Sequence, residues 1–260
     1  MKILNFGSCN IDYVYTLDHI VKPGETETSD KMETFPGGKG LNQSIAVANA
    51  GAKIYHAGCI GNDAQILTDV LLKSGVDISY LKKADVKNGH AIIQVNAQGE
   101  NSIFLYPGSN QMITDEFIDR VLSDFGKGDI ILLQNEISGI KHIVDKAYER
   151  EMIIVLNPSP MNEKLLEIDF NKISYIILNE VEGEAISQKS EPGKMLGYFK
   201  DKYPNVKVML TLGSKGCIYM DSNEEIHQPI FETTVVDTTA AGDTFTGYFI
   251  AGIASGREYR

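Results

Sequence analysis

Apolar positions along this chain follow two alternating rhythms. Short unbroken apolar runs alternate with longer stretches in which apolar residues recur every three or four positions. The first rhythm predicts strands buried on both faces, and the second predicts helices with one buried face. Residues 2–6, 53–59, 129–134, 152–156, 175–178 and 206–212 are predicted strands; 41–50, 63–74 and 140–150 are predicted helices. Gly51 and Gly75 stand where the first two helices should stop. Strands separated by helices imply an α/β fold: a mostly parallel sheet covered on both faces, with ligands beyond the carboxyl ends of its strands. Two segments break the alternation. Residues 12–20 and 29–35 flank a Pro23-Gly24 turn, and 90–96 and 101–106 flank Gln98-Gly99. These four strands predict either a small β lid or an extension of the main sheet's edge.

The stretch 232–247 is read differently. A β-rich run, 232–236, leads into small residues and then into an apolar helical pattern. This predicts a helix whose first N–H groups belong to Ala240, Ala241, Gly242 and Asp243. Such N–H groups lack helical partners and sit at the positive end of the helix dipole, so they attract anions. The small side chains leave a phosphate room to reach the backbone. Asp243 is unsuited to hold a phosphate there, but suited to take a proton from a hydroxyl that attacks phosphorus. Standing alone, it would read as a helix cap.

A second turn lies about two hundred residues earlier, at 36–43. Gly37 and Gly38 allow a sharp turn and close backbone approach to a small ligand. Lys39 and Asn42 can donate to hydroxyls. No G-x-x-x-x-G-K-[ST] phosphate loop occurs in the chain, and no G-x-G-x-x-G follows its first strand. The second absence argues against a dinucleotide-dependent oxidoreductase.

Composition narrows the picture. The chain has 260 residues, 43% hydrophobic, enough for one large core. Its net charge of −11, without a basic cluster, argues against nucleic acid and anionic membranes as partners. Cys9, Cys59 and Cys217 are scattered and odd in number, which fits reduced thiols in the cytoplasm. No cysteine or histidine spacing suggests zinc, and the five histidines read as surface or packing residues. Met1 leads directly into the first strand without a signal peptide, and no apolar run reaches membrane length.

The string Asp-Thr-Thr-Ala-Ala-Gly-Asp at 237–243, together with Gly-Gly-Lys-Gly at 37–40, resembles the two signatures of the ribokinase-like (PfkB) carbohydrate kinases. The likeness is strongest to that family's D-ribose kinases. It implies a three-layer fold in a single domain, 1–260, with a β-sheet lid from strands near 12–35 and 90–106. Two copies would pair through the lid as a homodimer. It implies an ATP-dependent sugar kinase, with D-ribose 5-phosphate as the product. Fructokinase, 2-keto-3-deoxygluconate kinase and nucleoside kinase share the fold, and a non-catalytic sugar-binding regulator is a further alternative.

The resemblance also implies roles. Asn10, Asp12, Gly38, Lys39, Asn42 and Glu136 would hold the sugar. Asp243 would be the base, with the N–H groups of Ala240, Ala241 and Gly242 forming the anion hole. Asn179, Thr211, Gly213 and Gly216 would bind ATP. Glu182, one helical turn from Asn179, would hold Mg²⁺ through water, and Asp237 and Thr239 would ligate a monovalent cation such as K⁺. Read singly, Asn10 and Asp12 suit an Asx-turn, and Asn179 to Glu182 suits a solvated helix start. Family members continue through further helices that complete the adenine pocket and the cation loop. The resemblance therefore implies that this part is missing after Arg260.

Overall fold

Strands and helices alternate because buried apolar runs alternate with amphipathic stretches. The computed structural model describes residues 1–235 and 237–257. In chain order the elements are β1 (Ile3–Phe6), β2 (Asn10–Thr16), β3 (Lys31–Gly37), α1 (Lys39–Asn49), β4 (Ile54–Ile60), α2 (Gln65–Lys73) and β5 (Asp77–Lys83). Next come β6 (Gly89–Val95), β7 (Asn101–Tyr106), α3 (Asp115–Leu122), β8 (Ile130–Gln134), α4 (Ile140–Glu149) and β9 (Ile153–Asn157). The remainder is β10 (Tyr175–Asn179), α5 (Glu180–Ser187), α6 (Pro192–Lys202), β11 (Lys207–Thr211), β12 (Cys217–Met220), β13 (Glu225–Gln228) and α7 (Ala241–Ala254).

Nine strands form the main sheet, in the order β13-β12-β11-β10-β9-β8-β1-β4-β5. The seven from β11 to β5 are parallel, and β12 and β13 add an antiparallel hairpin at one edge. β8 shows why the apolar runs are unbroken. Ile130 and Leu132 enter the core on one face, while Ile131 and Leu133 enter the core on the other. One face is covered by α3, α4, α5 and α6, through residues such as Phe117, Ile143, Ile186 and Phe199. The other is covered by α1, α2 and α7, through Leu41, Leu67 and Ile250. From β1 the chain moves outward to β4 and β5, then returns to β8 on the other side of β1 and proceeds the opposite way. This reversal opens a crevice at the carboxyl ends of β1 and β8, where open α/β sheets bind ligands.

The segments that broke the alternation form a separate sheet, ordered β3-β2-β6-β7, and are not an edge of the main one. Its central pair, β2 and β6, is parallel, and the outer pairs are antiparallel. Phe35 and the Ile103, Phe104, Leu105 and Tyr106 side chains of β7 are about half exposed.

One predicted strand is not formed. Residues 232–235 lie outside any strand, and Val236, the last of that prediction, lies outside the described residues. β13 already occupies the sheet edge, and Pro229 follows it without an N–H to extend the ladder. The approach to α7 is therefore an exposed turn and not a strand end. Elements β5, α3, α6, β12 and β13 were not among the predicted ones, although α3 buries Phe117, Ile118, Val121 and Leu122 at helical spacing. In α7, Gly247 lets two helices touch: a Cβ there would lie 2.3 Å from the Ala46 Cβ of α1. That approach brings Asp243 beside α1.

Candidate active site

The site begins where β1 ends. The Ser8 carbonyl accepts from the Leu41 N–H at 2.9 Å, and the Ser8 hydroxyl accepts from the Gly40 N–H at 3.2 Å. A Cβ on Gly40 would lie 2.4 Å from the Ser8 nitrogen, so only glycine lets α1 start this close to β1. Gly38, the residue before α1, has φ of 94°, which glycine adopts without strain. The Lys39 N–H donates to the Glu136 carboxylate at 2.9 Å, and the Ser8 hydroxyl donates to the same oxygen. Glu136 is thus fixed at the positive end of α1.

Beside it stand Asn10 and Asp12 on β2. The Asn10 Oδ1 accepts from Asn110 Nδ2 at 2.7 Å, and Asn110 Oδ1 accepts from the Cys9 N–H at 3.1 Å. These bonds leave the Asn10 amino group for a ligand. The Asp12 carboxylate packs over Gly37, where a Cβ would lie 2.1 Å from Oδ2. Burial first, and the Glu136 charge second, push the Asp12 carboxyl up to about 6.

Across from this group is a cavity of about 250 Å³. Lys39, Asn179, Glu182, Thr211 and the start of α7, from Ala240 to Asp243, line it together with Asn157 and Thr246. Asp243 is 8% exposed. Its Oδ1 accepts from Gln43 Nε2 at 2.9 Å, and its Oδ2 accepts from Asn42 Nδ2 at 3.2 Å. Ala240 caps the helix with φ of 57°. The Ala241 N–H turns back onto the Thr238 carbonyl at 3.1 Å, so the predicted row of four open donors is reduced. The N–H groups of Gly242 and Asp243 have no protein partner among the described residues.

Asn179 and Glu182 form a reciprocal cap at the start of α5. The Glu182 N–H donates to Asn179 Oδ1 at 2.9 Å, and the Asn179 N–H donates to Glu182 Oε2 at 3.0 Å. Glu182 is 6% exposed, so this is not a solvated acidic start. The Thr211 hydroxyl donates to the Leu178 carbonyl at 3.3 Å.

Other sequence candidates sit apart from this cavity. Gly213 and Gly216 shape the turn between β11 and β12, with Gly216 backing onto the Gln228 carbonyl. Asp237 and Thr239 are exposed. Asp237 Oδ1 accepts from both the N–H and the hydroxyl of Thr239, at 2.8 and 2.7 Å.

Sequence reading passed over Asn5, Ser8, Gln43, Gln134 and Asn110, all fully or almost fully buried around the site. A signal existed for two of them. Asn5 interrupts the apolar run of β1 and Gln134 closes that of β8, and a polar residue in a strand buried on both faces needs a partner.

Comparison with known proteins bears on what this arrangement is for. The sequence profile described as "pfkB family carbohydrate kinase" matches residues 1–260. Ribokinase of Bacillus subtilis (strain 168) is 32% identical over 262 residues, covering 99% of this chain and 87% of that protein. Deoxyribokinase of Salmonella typhimurium is 29% identical over 272 residues, covering 96% and 84% respectively. The structure of Arabidopsis thaliana ribokinase complexed with ribose and ATP superposes with a TM-score of 0.86 at 26% identity, covering 99% of this chain and 87% of that one. Match, fold and the polar crevice at the strand ends agree, and the chain belongs to the pfkB family of carbohydrate kinases, phosphotransferases that act on a sugar hydroxyl.

Proposed function

We propose that this kinase transfers the γ-phosphoryl group of ATP to a hydroxyl of D-ribose, giving D-ribose 5-phosphate and ADP. One observation carries the mechanism. Asp243 sits at the first turn of α7, nearly buried, opens on the cavity, and has an amide donor on each carboxylate oxygen. The ribose and ATP bound in the Arabidopsis ribokinase complex support the choice of reactants.

In this reading the sugar lies between Asn10, Asp12, Gly38, Lys39, Asn42 and Glu136. Asp12 and the free Glu136 oxygen accept from sugar hydroxyls; the Asn10 amino group and Lys39 donate to them. The Asp243 carboxylate takes the proton of the hydroxyl as its oxygen bonds to the γ-phosphorus. The bond from that phosphorus to the bridging oxygen breaks, and ADP leaves with the electron pair. The N–H groups of Gly242 and Asp243 meet the negative charge of the transferring group, with Ala240 and Ala241 keeping side chains out of its way. Asn179 and Thr211 line the ATP side, and Gly213 and Gly216 shape the turn that bounds it.

The residues fit a magnesium ion. Glu182 offers a hard oxygen donor at the cavity wall, with one oxygen held by the Asn179 N–H and the other without a protein partner among the described residues. Bound there through water, Mg²⁺ would neutralise charge on the phosphoryl oxygens. Asp237 and Thr239 offer oxygen donors for a monovalent cation such as K⁺ beside the start of α7. The small sheet serves as a lid on the single domain. Its exposed Phe35, Phe104 and Tyr106 suit pairing with a second copy as a homodimer. Free Cys9, Cys59 and Cys217 suit the reducing cytoplasm, and no described helix is long and apolar enough to cross a membrane.

A second reading, 2-deoxy-D-ribose as the acceptor, rests on the Salmonella relative. ADP release with ATP and Mg²⁺ across a panel of sugars, with and without K⁺, tests both. D-ribose should support release most efficiently. Asp243→Asn should lower kcat by about 10³-fold, within the range of a lost general base, with the sugar KM little changed. Normal turnover by that variant would remove Asp243 from the proposed role.

A further inference from the structure

Behind Asp243 runs a row of amides with no exposure to solvent: Gln43, Gln134 and Asn5. Amide nitrogen and oxygen are told apart by their partners, and here the partners leave no choice. The Gly40 carbonyl can only accept, so the Asn5 group 2.6 Å from it is the amino group. The Asn5 Oδ1 therefore faces Gln134, whose Nε2 donates to it at 3.1 Å. The same nitrogen gives its second hydrogen to Gln43 Oε1 at 2.6 Å. Gln43 then has only its amino group left for Asp243, and Nε2 donates to Oδ1 at 2.9 Å. A backbone carbonyl at one end and a carboxylate at the other fix the same direction.

We infer that Asn5, Gln134 and Gln43 form a polarised amide relay that positions Asp243, with Gln43 as the positioning residue and Gln134 as the group that orients it. The inference rests on the reading of Asp243 as the base. The two bonds to Asp243 differ. The one from Gln43 is buried, whereas the one from Asn42 is only partly buried. The relay therefore occupies Oδ1 on the core side and fixes the carboxylate plane. Oδ2, on the open side, is the oxygen that meets the sugar hydroxyl. The arrangement is not the one that packing alone would favour. Gln134 Oε1 is buried without a protein partner among the described residues, and the absence of a side chain on Gly7 makes the room for it: a Cβ there would lie 2.5 Å away. A polar atom left unpaired in a core calls for a reason, and the direction of the relay supplies one.

Steady-state kinetics with ATP, Mg²⁺ and D-ribose, or whichever sugar supports release, tests the relay on four variants of the full chain, each checked by thermal unfolding. Gln43→Leu should lower kcat by about 10- to 100-fold, as a misaimed reacting group does, with the sugar KM within about twofold. Gln134→Glu presents, when ionised, only acceptors. It should turn the Gln43 amide round, set a carbonyl oxygen against Asp243, and lower kcat at least as far. Gln134→Met removes the orienting group without reversing Gln43 and should cost less. Kcat within twofold of the parent in Gln43→Leu, or losses in both Gln134 variants that simply follow their loss of Tm, would overturn the relay. If Gln134→Glu does not fold, the kcat-against-KM split of Gln43→Leu decides alone. Asp243→Asn separates the two ideas. An inert Asp243→Asn beside a fully active Gln43→Leu ends the relay and leaves the base in place; an active Asp243→Asn ends the base reading, and the relay with it.

Discussion

The two sides of the site are built on different principles. On one side, Asn179 and Glu182 hold each other within a span of three residues, and the cap needs nothing but the helix it starts. On the other side, every fixed polar group reaches far along the chain. Ser8 reaches Glu136 across 128 positions, Asn110 reaches Asn10 across 100, and Asn42 reaches Asp243 across 201. The local side survives small shifts between elements. The long-range side exists only while β1, β8, α1 and α7 keep their mutual register. Packing faults should therefore damage sugar handling before they damage the α5 cap.

Substitutions can break or sharpen this contrast. Gly40→Ala should have the largest effect on stability. Its Cβ would meet the backbone of Ser8 at 2.4 Å and of Gly7 at 2.6 Å, and neither can move aside cheaply. A loss of about 3 kcal/mol, at the upper end for overpacking, is expected in denaturant unfolding, with sugar-dependent ADP release falling alongside. Unchanged stability would mean that the long-range side is more compliant than its contacts suggest.

Asn179→Ala should cost about 1 kcal/mol, the usual worth of an N-cap, and should raise the KM for ATP while leaving the sugar KM alone. Equal changes in both KM values would show that the two sides are not independent.

Asp12→Asn should have the smallest effect on stability and the opposite sign. The folded-state pKa of Asp12, about 6, lies above its ordinary value of 3.8. Between those values the folded chain holds more protons than the unfolded chain, so this group makes stability fall as pH rises, and its cost is complete above pH 6. The neutral variant should therefore be more stable at pH 7 by less than about 1 kcal/mol, allowing for partial exposure of the group, with the gain vanishing below pH 4. Its sugar KM should rise. In the parent, the sugar KM should rise as pH falls below 6 and the carboxylate is lost.

The same contrast sets how much was legible in the sequence. Apolar rhythm located six of the seven parallel strands because burial on both faces leaves an unbroken run, as in Ile130–Gln134, whereas β5, only partly buried at the sheet's edge, leaves none. The turn at Gly37 and Gly38 and the start of α7 were legible from small residues placed next to helical patterns. The strand at 232–236 was misread because β propensity says nothing about whether a sheet edge is available. The amides were missed for a related reason. Gln43 looks like one polar residue on a helix until α7, 200 positions away, lies against it. Asn110 likewise has no local pattern and shows its place only through Asn10 and the Cys9 N–H.

The hairpin of β12 and β13 has a consequence for the free protein in a crowded solution. A nine-stranded sheet ends in two rows of unpaired backbone groups, which invite open-ended ribbon growth between molecules. Here one rim is the four-residue β13, carrying exposed Glu225 and His227 paired at 2.7 Å and followed by Pro229. The other rim, β5, carries Asp77 at its start and exposed Lys83 at its end. Charge, brevity and a proline at the two rims guard a wide sheet against fibrous self-association.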